Sequence, residues 1–142
     1  SGEGGSNKLL TAVISAANSY IANDTATAAK ELMDIDVSSL PTDDAKKLYN
    51  TIAEAAMKPA ANEFYTQGTT AYNKADYTTA ATAFVNAYKC DSTKAEAAYY
   101  AAKSYVALNQ TEDAKKYYQY IVDGFRSSSY YSEANAYVTS HS

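Results

Sequence analysis

The chain has 142 residues, 46 % of them hydrophobic, which suffices for one domain or one compact repeat array with a buried core. Its net charge is −4 and its 12 basic residues are scattered, with Arg126 the only arginine, so the basic footprint of a nucleic-acid binder is missing. No run of about 18 apolar residues is present to span a bilayer, no basic amphipathic stretch suggests a membrane-surface helix, and a lone Cys90 excludes both an internal disulfide and a thiolate metal cluster.

Residues 1–6, Ser-Gly-Glu-Gly-Gly-Ser, read as a flexible linker, either a cloning remnant or the stub left by a removed export or anchoring segment. Residues 7–142 read as a single domain. Few helix breakers interrupt it and alanine, the best helix former, is abundant, so an all-α fold of about seven or eight antiparallel helices is predicted. Leu9, Leu10, Val13, Ile14, Ala17, Tyr20 and Ile21 recur at helical spacing. Asn23-Asp24-Thr25 supplies a turn and a cap, and a second helix carries Ala28, Ala29, Leu32 and Met33. A polar loop surrounds Leu40-Pro41, after which Thr42 caps a third helix with Asp43 and Asp44 in its first turn and Ala45, Leu48, Tyr49, Ile52 and Ala56 inward. Pro59 suits either the first turn of a new helix or a kink in a long one. Further helices are expected over about 60–74, from Tyr77, over about 93–108 and 111–125, and, after the Ser127-Ser128-Ser129 break, over about 131–139.

The later helices repeat. Adding 34 to Gly68, Tyr72, Asp76, Ala80, Phe84 and Ala87 gives Ala102, Val106, Gln110, Ala114, Tyr118 and Ile121, so small falls on small at Gly68 and Ala80 and large on large at Tyr72 and Phe84. Subtracting 52 from the same set gives Ala16, Tyr20, Asp24, Ala28, Leu32 and Ile35, the extra 18 residues being an inserted helix near 45–57. A helix–turn–helix unit of about 34 residues is the signature of the tetratricopeptide repeat, and the segment from Phe64 to Tyr77 resembles the first helix and turn of such a unit. The resemblance implies a right-handed superhelix with residues 7–42 as a degenerate repeat, 43–60 as the inserted helix, 61–94 and 95–128 as repeats, and 129–140 as a capping helix. It departs from the family where a closing proline is usual: Ser92 and Arg126 stand there. The tail from Gly124 to Ala134 is similar to the repeat junctions of bacterial envelope proteins, which implies a bacterial, extracytoplasmic location, with an anchor upstream as one version of it.

Arrays of this family bind ligands on the face lined by the first helix of each repeat. Carrying those positions over gives Asn62, Tyr65, Thr69, Tyr72 and Asn73 from one repeat and Glu96, Tyr99, Lys103 and Val106 from the next, with Tyr20 from the upstream copy. Fifteen tyrosines fit that reading, because tyrosine is enriched at interfaces; the plainer alternative is packing between helices. The family's clamp for chaperone C-termini is not expected, since Tyr65, Thr69, Glu96 and Tyr100 stand where it uses Lys, Arg and Asn.

Catalysis is not expected. His141 is the only histidine and sits at a terminus that would fray, so no His–Cys or His–Ser dyad can be built. Asp34, Asp36, Asp43 and Asp44 lack the turn glycine and spacing of a calcium loop, and read as helix caps or a solvated face. Cys90 is either a small packing residue or a thiol activated by Lys89. The sequence thus predicts a non-enzymatic scaffold, without cofactor or metal, that binds a protein or peptide. The alternative is a structural or oligomerisation spacer of an anchored envelope protein, in which a homodimer would bury the tyrosine face.

Overall fold

In the computed structural model, which describes residues 2–142 with side chains from residue 8 onward, the described residues form helices and turns and no strand. The helices are α1 (Gly2–Ile21), α2 (Thr25–Met33), α3 (Asp43–Asn73), α4 (Tyr77–Cys90), α5 (Ala95–Ala107), α6 (Thr111–Gly124) and α7 (Tyr131–Ser140), with one 3-10 turn at Val37–Ser39. Internal packing gathers the chain into two compact units, Ser1–Ala60 and Ala61–Ser142, where the sequence led us to expect one domain over 7–142.

One element differs from the sequence reading, and another decides between two alternatives that it left open. Helix α1 begins at Gly2, so residues 2–6 continue it instead of forming a linker; Ser1 lies outside the described residues. Propagating an existing helix gains one hydrogen bond per residue fixed, which lets the Leu9–Ile21 stripe carry glycines that could not nucleate a helix. Pro59, which suited either a helix start or a position within a long helix, lies inside α3. A proline there removes the hydrogen bond to the carbonyl of Ala55. Buried Ala56, Ala60, Ala61 and Phe64 on either side hold the helix through that defect.

The first unit packs α1 against α2, with Val13, Ala16, Ala28, Leu32, Leu40, Ala45, Ile52 and Ala56 as its core. Thr42 caps α3 as expected, accepting the Ala45 N–H at 3.1 Å. Asp36 is consumed locally: its carboxylate takes the Ser38 N–H at 3.0 Å and the Ser38 hydroxyl at 2.6 Å. In the second unit each helix packs on the next, α4 on α5, α5 on α6 and α6 on α7.

The repeat seen in the sequence is a repeat of backbone geometry. The non-glycine residues with positive φ among those described are Asn23 (67°), Ala75 (63°) and Asn109 (60°). Their numbers differ by the same 52 and 34. Each closes its helix in the same way. The N–H groups of Asn23, Ala75 and Asn109 reach Tyr20, Tyr72 and Val106 carbonyls at 2.9, 2.9 and 3.0 Å. The next N–H groups, of Asp24, Asp76 and Gln110, reach back five residues to Ser19, Ala71 and Tyr105 at 2.9 Å in all three cases. This is the Schellman closure, and it reverses the chain in three residues. The residue that completes it also caps the following helix: Asp24 accepts the Thr27 N–H at 3.1 Å and Asp76 that of Thr79 at 3.3 Å, whereas Gln110 makes no such bond.

The helices so paired meet through small residues. Ala16, Gly68 and Ala102 are buried at matching places, opposite Ala28, Ala80 and Ala114, and Leu32, Phe84 and Tyr118 fill the next space at 0 %, 1 % and 2 % exposure. Gly68 is the tightest: a Cβ added there would lie 2.8 Å from Phe84 Cδ1 and Cε1. Phe84 cannot swing aside freely, because Tyr65, Tyr72 and Tyr100 surround it at ring-centroid distances of 5.5, 6.4 and 5.6 Å.

These contacts generate two predictions. Gly68→Ala gains about 1 kcal/mol of helix propensity but overpacks Phe84, which costs about 1–3 kcal/mol, so urea unfolding is expected to show a net loss. Gly124→Ala meets no atom within 4 Å and is expected to be neutral or stabilising. At Ala75 the left-handed backbone opposes its Cβ, so Ala75→Gly is expected to stabilise the protein by about 0.5–1 kcal/mol in thermal melts, while Asn109→Ala at the matching turn lowers stability.

Candidate binding cleft

Eight of the residues carried over from the repeat pattern sort into three groups within the second unit. Tyr65, Thr69, Tyr72 and Asn73, all on α3, line one cavity of about 170 Å³ together with Phe84 of α4 and Tyr100 of α5. Spacings of four and seven put Tyr65, Thr69 and Tyr72 on one helix face. Phe84 and Tyr100 lie nearly parallel, with centroids 5.6 Å apart and 29° between planes, and form the floor. Tyr65 and Tyr72 stand edge-on to both floor rings, at 63–71°, and form the walls. Burial, with help from Tyr100 and Glu96, raises the Tyr65 hydroxyl above its usual pKa, so this wall stays a neutral phenol at physiological pH.

Asn62 and Glu96 meet through Lys94, a residue the sequence reading did not single out. Its ammonium donates to Asn62 Oδ1 at 3.1 Å, pairs with Glu96 Oε1 at 3.4 Å and lies 5.3 Å from the Tyr65 ring centroid. The cleft rim therefore carries a cation that is already coordinated.

Tyr99 and Lys103 face the other way, toward α6 and α7, and close on Glu133. The Tyr99 and Tyr118 hydroxyls donate to its two carboxylate oxygens at 3.0 Å each, and Lys103 Nζ lies 3.3 Å from Oε2. Lys103 also lies 5.7 Å from the Tyr99 ring centroid, and Tyr130 stacks on Tyr99 at 4.3 Å. Partial burial works against the Glu133 charge, but the two donated hydrogen bonds and Lys103 outweigh it and lower its pKa. Burial, and then the bond to Glu133, drive the Tyr99 and Tyr118 hydroxyls far above their usual range. Lys103 thus holds an internal carboxylate.

Tyr100, like Phe84, lines the cleft without being among the residues carried over as its ligand face. It stands 35 residues after Tyr65, one beyond the matched position, and a single helical step turns it back toward α3 and α4 while Tyr99 points forward. Val106 and Tyr20 are exposed, at 40 % and 37 %. A second, wider depression of about 410 Å³ runs along the other side of α3 past Thr66, Gln67, Thr70, Ala71, Lys74, Asp76 and Thr79. Much of its polar lining is committed: Thr66 and Thr70 hydroxyls bond to carbonyls of their own helix, and Asp76 caps α4.

Burial pushes the Cys90 thiol up to about 11, so little thiolate is present at neutral pH and the residue serves packing. His141 stacks on Tyr137 at 3.9 Å and ends α7. No helix among the described residues is long and apolar enough to cross a membrane.

The fold and cleft define an all-α protein of successive, repeat-like helix pairs with an aromatic slot in its second unit. In comparison with protein-family models, curated proteins and solved structures, the chain matches none.

The Glu133 cluster generates a pH prediction. A carboxylate whose folded pKa is lowered stabilises the fold above its unfolded pKa, and that contribution is lost as pH falls through the folded value. Between about pH 5 and 3 the wild type should lose melting temperature faster than Glu133→Gln, and the difference between the two curves cancels the capping carboxylates Asp24 and Asp36, whose pKa values are also lowered. Parallel curves would show that Glu133 is not stabilised by its partners.

Proposed function

We propose that this protein is a non-enzymatic binding scaffold of the tetratricopeptide type, and that a protein or peptide docks on the face formed by α5 and the part of α3 in the second unit. The observation that carries this reading is the convergence of Tyr65, Thr69, Tyr72 and Asn73 on one open cleft. Those residues come from positions that line the ligand face in the family the sequence resembles. The matching backbone closures at Ala75 and Asn109 support the repeat itself, since α3 and α5 end in the same way 34 residues apart.

Tyrosines suit such a surface. They offer large, rigid contact area at low entropic cost, and their hydroxyls adapt to polar partners. Asn62, Glu96 and Lys94 add a hydrogen-bonding rim beside the aromatic centre, the usual division of an interface into core and edge. An envelope location outside the bacterial cytoplasm accompanies this proposal on the strength of the Gly124–Ala134 junction alone.

The test is capture of partners from a native envelope fraction, followed by calorimetry on the partner identified. Tyr72→Ala should weaken binding by at least about 2 kcal/mol if it is a hot spot, whereas Lys116→Ala on α6 should leave affinity unchanged. Equal affinities for both variants, with helicity intact by circular dichroism, would remove this face from consideration. A tight dimer in light scattering that buries Tyr72 would favour the spacer role instead.

A further inference from the structure

The repeat allows the cleft to be compared with its own counterpart. Tyr65, Thr69, Phe84 and Tyr99, each advanced by 34, become Tyr99, Lys103, Tyr118 and Glu133. The second set closes on itself: two tyrosine hydroxyls and an ammonium surround one carboxylate. In the first set Thr69 replaces the lysine, Phe84 lacks the hydroxyl of Tyr118, and Tyr99 replaces the glutamate. The polar clamp is gone and a cavity of about 170 Å³ stands in the same part of the repeat.

Its chemistry limits what can enter. A carboxylate would meet neither the ammonium nor the second hydroxyl that hold Glu133, and the nearby Lys94 is already paired with Glu96 and bonded to Asn62. A cation would meet Lys94, whose ammonium already covers Tyr65 at 5.3 Å. What the cleft offers is a stacked floor, two edge-on walls and the Asn73 amide at its mouth. Tyr65 and Tyr72 are seven residues apart, about 10.5 Å along the helix, and both line the cleft. An apolar cavity of about 150 Å³ holds a benzene, so the size fits a single ring.

We propose that this cleft receives one uncharged aromatic side chain, a phenylalanine or tyrosine, from the bound polypeptide. The ring enters between Tyr65 and Tyr72 and packs on Tyr100, with the buried Phe84 closing the bottom of the cleft, in the edge-to-face and offset geometries that aromatic pairs prefer. Asn73 is placed to hydrogen-bond a phenol or the adjoining backbone amide. This inference rests on the binding-scaffold reading and specifies its anchor.

The test uses small probes on the intact chain. N-acetyl-L-phenylalaninamide and N-acetyl-L-tyrosinamide are titrated into isotope-labelled protein, with N-acetyl-L-glutamic acid amide and tetramethylammonium at equal ionic strength as charged alternatives. Saturable shifts at Tyr65, Thr69, Tyr72 and Tyr100 are expected from the aromatic amides alone. Thr69→Met, which fills the cleft from its wall, should weaken them at least tenfold; Tyr72→Leu, which removes a wall ring, gives the same readout if the first variant does not fold. Saturation by tetramethylammonium or the glutamic acid derivative, unchanged binding in the variants, or aromatic shifts confined to Tyr88 and Tyr120 would overturn the proposal. A captured partner that binds Thr69→Met at full affinity would refute the aromatic anchor and leave the scaffold standing. Ring binding to the cleft without any captured partner would weigh against the scaffold and not against the cleft.

Discussion

The second unit depends on how closely α3 and α4 approach at Gly68. With no Cβ there, the Phe84 ring lies against the α3 backbone, and every neighbouring ring takes its position from it. Tyr65 and Tyr72 meet it by their edges, and Tyr100 stacks beneath it. From Tyr100 the ring contacts continue through Tyr99 to Tyr118, Tyr130 and then Tyr137. A close-packed interior transmits displacement, so a shift of Phe84 would be felt along the whole series. Tyr88, Tyr105, Tyr117 and Tyr120 form a separate group in which burial raises the Tyr117 hydroxyl to about 12.

The same register serves two chemical purposes in adjacent repeats. Around Glu133 the hydroxyls and the ammonium satisfy a charge at the seam between α5, α6 and α7, which fixes α7 in place. Around Phe84 the equivalent side chains are neutral and leave space. A filled polar site specifies packing, because each group lost leaves its partners unsatisfied. At the aromatic cleft no charge has to be satisfied, and the space between the rings stays open. Both begin from one backbone frame, set by the Schellman turns at Ala75 and Asn109.

Much of the frame was legible in the primary structure. Helical spacing of Val13, Phe84 or Ile121 marks the faces that are buried, and the offsets of 34 and 52 anticipate where the three left-handed turns fall. Local energetics explain this. Caps, propensity and apolar period act within a few residues, so the sequence carries them without reference to distant partners. Pro59 was ambiguous because its cost to a helix is local, while the burial of Ala56, Ala60 and Phe64 that outweighs it is not.

The site was half legible for a related reason. Register alone brought Tyr65, Thr69, Tyr72 and Asn73 to one helix face, and α3 delivers them to one cleft. Register could not tell that Tyr100 closes the cleft, that Lys94 sits on Tyr65, or that Lys103 and Tyr99 are engaged by Glu133. Those facts depend on which side of α5 each residue presents to helices far along the chain, and on the close approach of Phe84 to Gly68. The sequence by itself determined the helices, their turns and the face that carries the tyrosines, because those follow from short-range periodicity. Only tertiary packing decided which tyrosines are sealed by a carboxylate and which stay open, because that choice rests on partners brought together from 34 residues away.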